Sequence, residues 1–227
     1  MPTDLWSQFD AAPLALTLRV AVAATLLALL LGVALGWLFA RTRLPGRRLL
    51  EAVCMLPLVL PPTVLGYGIL VLTGRRSALG GWLREHFDYS LVFNWHGAVV
   101  ASTLVALPLV LKGASSAFAQ VDRSLEAAAR TLGQSRWSSF LRVTLPLAWP
   151  GVLAGTLLAF ARAMGEFGAS LMVAGSIPGQ TQTASMAIYD AVQAGHDDLA
   201  LALALVVSVV SVGILVLSNR YLQRSPP

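Results

Sequence analysis

Long apolar runs recur from one end of this sequence to the other, and no polar, independently folding half is left between or beside them. At a helical rise of about 1.5 Å per residue, roughly 20 apolar residues cross a hydrocarbon layer of about 30 Å. The run over 14–40 meets that length with one charge inside it, Arg19, placed near its start where a guanidinium can reach the interface. Backbone N–H and C=O groups find no water in lipid, so runs of this length must satisfy one another as helices. Only 12% of the 227 residues are charged, about half the share of an average soluble domain. The sequence therefore predicts an all-α integral membrane protein forming one domain over 1–227, and a soluble domain is excluded.

Five spans are expected, over 14–40, 49–72, 97–118, 147–174 and 199–217, with a cytoplasmic segment over 119–146. Gly32 and Gly36 in the first span form a small-xxx-small pair that lets a second helix come close. The second span contains Pro57, Pro61 and Pro62, each of which removes a backbone donor and crowds the preceding turn, so the helix kinks or breaks in its middle. Broken helices at membrane depth often line a pathway, and a packed structural kink is the other reading. Residues 73–95 are polar and mixed in charge, which suits an external loop or re-entrant turn. The fourth run carries Arg162 and Glu166, four apart and so on one helix face.

Charge sets the expected orientation. Of sixteen Lys and Arg, eleven fall in the loops placed inside, among them Arg41, Arg43, Arg47, Arg48 and Arg130, and three fall outside, Arg75, Arg76 and Arg84. That bias puts the N-terminus outside and the C-terminus in the cytoplasm. The residues ahead of the first run include Asp4 and Asp10 but no basic residue, the reverse of a cleavable signal peptide, so the first helix is expected to stay. The basic balance, net +5, belongs to these topology signals rather than to nucleic acid.

Several chemistries are missing. Lys112, the one lysine, is followed by Gly113 and preceded by Leu111, so no Gly-Lys-Ser/Thr phosphate loop exists and any ATP is hydrolysed elsewhere. Cys54 stands alone, expected as a small buried thiol, and His86 and His96 have no carboxylate at ligand spacing, so no metal site or cofactor is expected in this chain. Neither a catalytic cluster nor the paired inverted repeats of many secondary transporters is visible, which leaves a membrane enzyme and an autonomous secondary transporter as the weaker readings.

The most informative stretch is VDRSLEAAARTLGQSRWSSFLRVTLPLAWPG, 121–151. It predicts a short Ala-rich helix, a glycine stop at Gly133, a second short helix bearing Trp137, Phe140 and Leu141, and a Leu145-Pro146 start to the next span. This segment resembles the EAA loop of ABC importer permeases, in which a helix docks into a cleft of the ATP-binding subunit; Gly133, Val143, Leu145 and Pro146 match the family spacing. The alanine register departs by one residue. With Ala128 and Ala129 as the pair, Glu126 stands one residue early; with Ala127 and Ala128, the gap to Gly133 is four residues.

PLVLPPTVLGYGILVL (57–72), GRR (74–76), FARAMGEFGA (160–169) and IPGQTQT (177–183) are similar to the molybdate branch of these permeases, close to the sulfate branch, and the resemblance covers nearly the whole chain. It implies a type I ABC importer permease fold in a bacterial inner (plasma) membrane. It further implies a homodimer in the lipid bilayer with two ATP-binding subunits and an extracytoplasmic oxyanion-binding protein. Glu126, Ala127, Ala128, Ala129, Gly133, Leu145 and Pro146 would couple to the ATPase, and Pro57, Pro61, Pro62, Arg162, Gly165, Glu166 and Gly168 would lie on the pathway. For Arg162 and Glu166 two readings stand side by side, an anion-easing element and an internal ion pair that locks the helix. The resemblance implies a permease for molybdate that forms the translocation pathway, with sulfate and tungstate as the alternative substrates.

Overall fold

The computed structural model describes residues 10–42 and 45–224, with backbone alone at 215 and 217–224. Asp4 and Arg43 lie outside the described residues, as do the side chains of Asn219, Arg220 and Arg224. Every regular element among the described residues is helical. Among the described residues, four helical stretches are long and apolar enough to cross a membrane, Ala12–Arg41, Trp95–Gln120, Arg136–Met164 and Asp197–Ile214; numbered in chain order, they belong to α1 (Ala12–Arg41), α5 (Trp95–Gln120), α8 (Leu145–Met164) and α11 (Asp197–Arg224). Between them lie α2 (Arg47–Val59), α3 (Pro62–Thr73), α4 (Ala78–Phe87), α6 (Arg123–Thr131), α7 (Arg136–Ser139), α9 (Gly168–Ala174) and α10 (Ala184–Gln193).

The core forms where α1, α5 and α8 meet, around Val20, Ala24, Ala28, Ala106, Val110 and Ala159. Lipid supplies no hydrophobic force between apolar helices, so close backbone approach and dispersion contacts hold them. Gly32 and Gly36 provide that approach on α1. A Cβ at Gly32 would sit 2.7 Å from Val110 Cγ1, and one at Gly36 would sit 2.8 Å from Ala114 Cβ. On the other side of α5, Gly113 meets the Gly151 carbonyl and Gly155 at 2.9 and 3.0 Å from where its Cβ would stand.

Two apolar runs are not single helices. The second, expected over 49–72, is α2 and α3 meeting at 114°. Leu60 and Pro61 each precede a proline and take extended backbone, φ −70 and ψ 140 for Leu60, φ −55 and ψ 137 for Pro61. That conformation follows from the clash of a proline ring with the preceding residue. The fourth, expected over 147–174, ends as α8 at Met164, and α9 starts afresh at Gly168 after an irregular Gly165–Phe167. The expected external loop over 73–95 contains α4, whose N-cap Ser77 accepts a hydrogen bond from the Gly80 amide. Nor is Cys54 buried: it is half-exposed on α2, a helix with no buried residue in the single chain.

Candidate functional site

The segment over 119–146 is built from local signals. Asp122 caps α6, its Oδ1 accepting from the Ser124 amide at 2.8 Å, and this bond lowers the carboxyl's pKa from its ordinary value. Gly133 ends the helix with φ +83, a conformation that costs other L-residues a Cβ clash. The Gln134 amide donates to the Ala129 carbonyl and the Gly133 amide to Arg130, so the last carbonyls are satisfied as in a Schellman motif. Ser135 then caps α7, a π-helical turn over Phe140–Thr144 follows, and Pro146 sits in the first turn of α8. No residue of α6 is buried, and Leu125, Leu132 and Trp137 are exposed around it. The result is a short knob on which Leu125 and Leu132 are exposed apolar side chains.

Glu126 fastens this knob to two spans. Its Oε1 lies 2.7 Å from Arg41 Nη2 at the end of α1 and accepts from Thr144 Oγ1 at 2.7 Å, one residue before Leu145-Pro146. Arg41 also donates to the Val121 carbonyl at 3.1 Å. Thus the two ends of the loop motif, Glu126 and the Leu145-Pro146 start of α8, are joined through Thr144. Ala127, Ala128 and Gly133 are exposed, and Ala129 is half-buried. Arg41 and Thr144 were missed by sequence reasoning. Arg41 was one of several loop arginines, and nothing local marks the one that turns inward.

The other expected group is brought together only in part. The Arg162 Nη1 to Glu166 Oε2 distance is 2.8 Å, with the Glu166 side chain almost fully buried and that of Arg162 about one-third exposed. The contact is ionic, its angle outside hydrogen-bond geometry. Glu166 Oε1 accepts from the Ala169 amide at 2.9 Å, so the same carboxylate caps α9. A charge at membrane depth costs at least about 2.5–3.5 kcal/mol, and pairing plus capping is how Glu166 meets that cost. Pro62 packs on Gly168, whose Cβ would stand 2.9 Å from Pro62 Cβ, and Gly66 packs on Ala169 and Met172. Residues more than 100 positions apart therefore share one junction, with α3 against α9. Pro61 precedes this junction in the bend, Gly165 is exposed beside it, and Pro57 lies inside α2.

A cavity of about 660 Å³ lies between α2, α5 and α8, lined by Glu51, Lys112, Ser116, Gln120, Gly151 and Gly155 among others. Lys112, Ser116 and Gln120 are spaced by four and exposed, a polar stripe on an otherwise apolar helix. That period is legible in the sequence, but the face it turns toward α2 is not. The Arg162–Glu166 pair sits one turn beyond Leu158, the last residue of α8 that lines this cavity. The IPGQTQT stretch is organised by Thr181, whose hydroxyl accepts from the Ile177 amide and donates to the Gly175 carbonyl, and by Asp190, which accepts from Ser176 and Gln182. The Ala184 amide donates to Thr17 Oγ1 at 2.8 Å, tying this region to α1.

Known proteins share both the sequence and the fold. The molybdenum transport system permease protein ModB of Escherichia coli (strain K12) is 42% identical over 209 residues, covering 92% of this chain and 91% of that one. The sulfate transport system permease protein CysT of the same strain is 35% identical, covering 86% of this chain and 70% of its own. Among solved structures, the inward-facing MetNI methionine ABC transporter matches with a TM-score of 0.75 at 17% identity, over 99% of this chain and 100% of that one. A bacterial alginate ABC transporter in complex with an alginate pentasaccharide-bound periplasmic protein matches with a TM-score of 0.73 at 16% identity, over 92% and 76%. These likenesses show the fold. The profile described as binding-protein-dependent transport system inner membrane component matches residues 10–225, and the chain belongs to that family of multi-pass membrane transport subunits.

Proposed function

We propose that the chain is the membrane permease of an ATP-driven importer for molybdate, working as a homodimer with two ATP-binding subunits and an extracytoplasmic oxyanion-binding protein. The observation that carries the coupling role is the exposed α6 knob, which Glu126 ties at once to α1 and to the start of α8. A partner gripping Leu125, Leu132 and the exposed alanines would move two spans as one body. Closure of the ATPases on ATP and Mg would thereby switch the pathway between inward-open and outward-open states. The N-terminus would be outside and the C-terminus in the cytoplasm. The 42% identical relative is a molybdenum transport permease, which supports molybdate, and the sulfate transport permease CysT supports sulfate as the second reading.

A second copy is supported by α2, which buries nothing in the single chain although Leu49, Leu50, Val53 and Leu56 are apolar and exposed. Against a symmetry mate, α2 and the Lys112, Ser116 and Gln120 stripe would enclose the inner half of the pathway. Arg162, partly neutralised by Glu166, would ease a dianion past the α3–α9 junction without holding it, as transport requires. The test is uptake by vesicles holding all three components. Molybdate accumulation should need ATP and the ATPase and should resist a large excess of sulfate. ATP-independent uptake would support a secondary transporter, and equal competition by sulfate would move the substrate assignment. Normal uptake by Arg162→Ala with Glu166→Ala would remove that pair from the pathway.

A further inference from the structure

A cavity of about 250 Å³ opens where α1 ends and the α6–α7 segment begins, lined by Arg41, Arg130, Arg136, Ser139, Trp37 and Phe140 among others. Three arginines and one glutamate, Glu126, share this lining; Arg41 engages Glu126, and Arg130 and Arg136 are exposed at the mouth. Among the described residues only two ion pairs form, and neither includes Arg130 or Arg136. Two buried polar atoms of the lining have no hydrogen-bond partner among the described residues: Nε of Arg41, whose side chain is 9% exposed, and Oγ of Ser139, a residue 3% exposed. A buried donor left without a partner points to a missing acceptor. The cavity is thus shaped for an anion.

Its aromatic wall leads into a second, apolar space. Trp37 and Phe140, in edge contact with ring centroids 5.4 Å apart, also line a groove of about 580 Å³. The rest of that groove is apolar, including Leu30, Val33, Leu38, Trp137, Leu145 and Trp149. Leu30 on α1, Trp137 on α7 and Trp149 on α8 are exposed in the single chain. From Leu29 to Leu38 the groove follows α1 over nine helical rises, about 14 Å, which is about half the thickness of the hydrocarbon layer. A basic cavity at the inner interface joined to an apolar groove one leaflet deep has the chemistry of a phospholipid: phosphate above, acyl chain below, indoles at the boundary.

We propose that Arg130, Arg136, Ser139 and the free edge of Arg41 form a site for the phosphate of an anionic phospholipid, whose acyl chain lies in the groove beside Trp37. The lipid would fill the space between α1 and the coupling segment. Membrane composition would then bear on the knob that meets the ATPase. The site does not depend on the substrate, so it stands or falls apart from the molybdate reading.

Native mass spectrometry of the purified full chain in detergent, titrated with phosphatidylglycerol or phosphatidylcholine, tests this. Phosphatidylglycerol should be retained at least tenfold more tightly. Arg130→Gln with Arg136→Gln should remove that preference, whereas Arg47→Gln with Arg48→Gln, the same charge change outside the cavity, should keep it. Ala34→Trp, which fills the groove, should weaken phosphatidylglycerol binding about as much as the arginine pair does, with an unchanged melting temperature showing that the chain is folded. Equal retention of the two lipids, or equal loss in both arginine pairs, would overturn the proposal. Binding of inorganic phosphate or glycerol phosphate as tight as that of the lipid would reduce it to a free-anion site. Complete release of the lipid on adding the ATPase would make the cavity a protein contact instead.

Discussion

Removing the Arg41–Glu126 link should loosen the coupling knob without unfolding the spans. Oε1 of Glu126 takes two donors at 2.7 Å, Arg41 Nη2 and Thr144 Oγ1, and the two charged side chains are 9% and 21% exposed. A fully exposed pair would be worth only about 0–1 kcal/mol, but hydrogen bonds to charged groups shielded from water are worth about 1.5–3 kcal/mol. Glu126→Gln keeps an oxygen for Thr144, and Arg41→Gln also loses the bond to the Val121 carbonyl, so neither single variant isolates the pair. A double-mutant cycle does. The interaction term should be about 1.5–3 kcal/mol, a ten- to hundredfold or greater change in the opening equilibrium. Hydrogen–deuterium exchange of amides 127–131 in lipid nanodiscs reads that equilibrium directly, with amides in the middle of α5 as the unaffected control. An interaction term under about 0.5 kcal/mol would refute the view that Glu126 is held by α1.

Other substitutions probe the same architecture. Gly32→Leu should destabilise the α1–α5 contact by about 1–3 kcal/mol, since its Cβ alone would stand 2.7 Å from Val110, while Gly68→Ala, with nothing within 4 Å, should be nearly silent; melting temperatures in detergent compare them, and equal losses would discount the close approach. Gly133→Val should strain the left-handed stop by about 1–2 kcal/mol and abolish ATPase co-purification with membrane insertion intact, and Gly133→Asn should retain part of it; unchanged co-purification in the valine variant would count against the knob. Because capping lowers the folded-state pKa of Asp122, its contribution to α6 is full above the ordinary carboxylate pKa and is lost as pH falls through the lowered value. The Asp122 carboxyl and the Ser124 amide should therefore titrate together by NMR with a midpoint below 3.8, and a midpoint at or above 3.8 would remove the cap.

Much of this architecture is written along the chain. The apolar runs had to be helices because lipid leaves backbone groups no other partner. The bend at Leu60–Pro61 follows from proline sterics, and the Gly133 stop follows from the backbone conformation that glycine alone adopts freely. The break at Gly165–Phe167 was not legible, because Arg162 and Glu166 at a spacing of four fit one face of a continuous helix, and only Glu166 turning back to the Ala169 amide reveals the restart. Nor did sequence indicate that Pro62 meets Gly168, that Lys112 heads a polar stripe facing α2, or that Arg41 rather than a neighbouring arginine holds Glu126. Those facts depend on the rotation and depth of each helix against the next. A span apolar on every side carries little record of which face is turned inward, whereas a proline, a glycine stop or a capping aspartate acts within a few residues of itself. Local backbone sterics and transfer from water thus determined the helices and their breaks, and the packing of α1, α5 and α8 decided which distant charges meet.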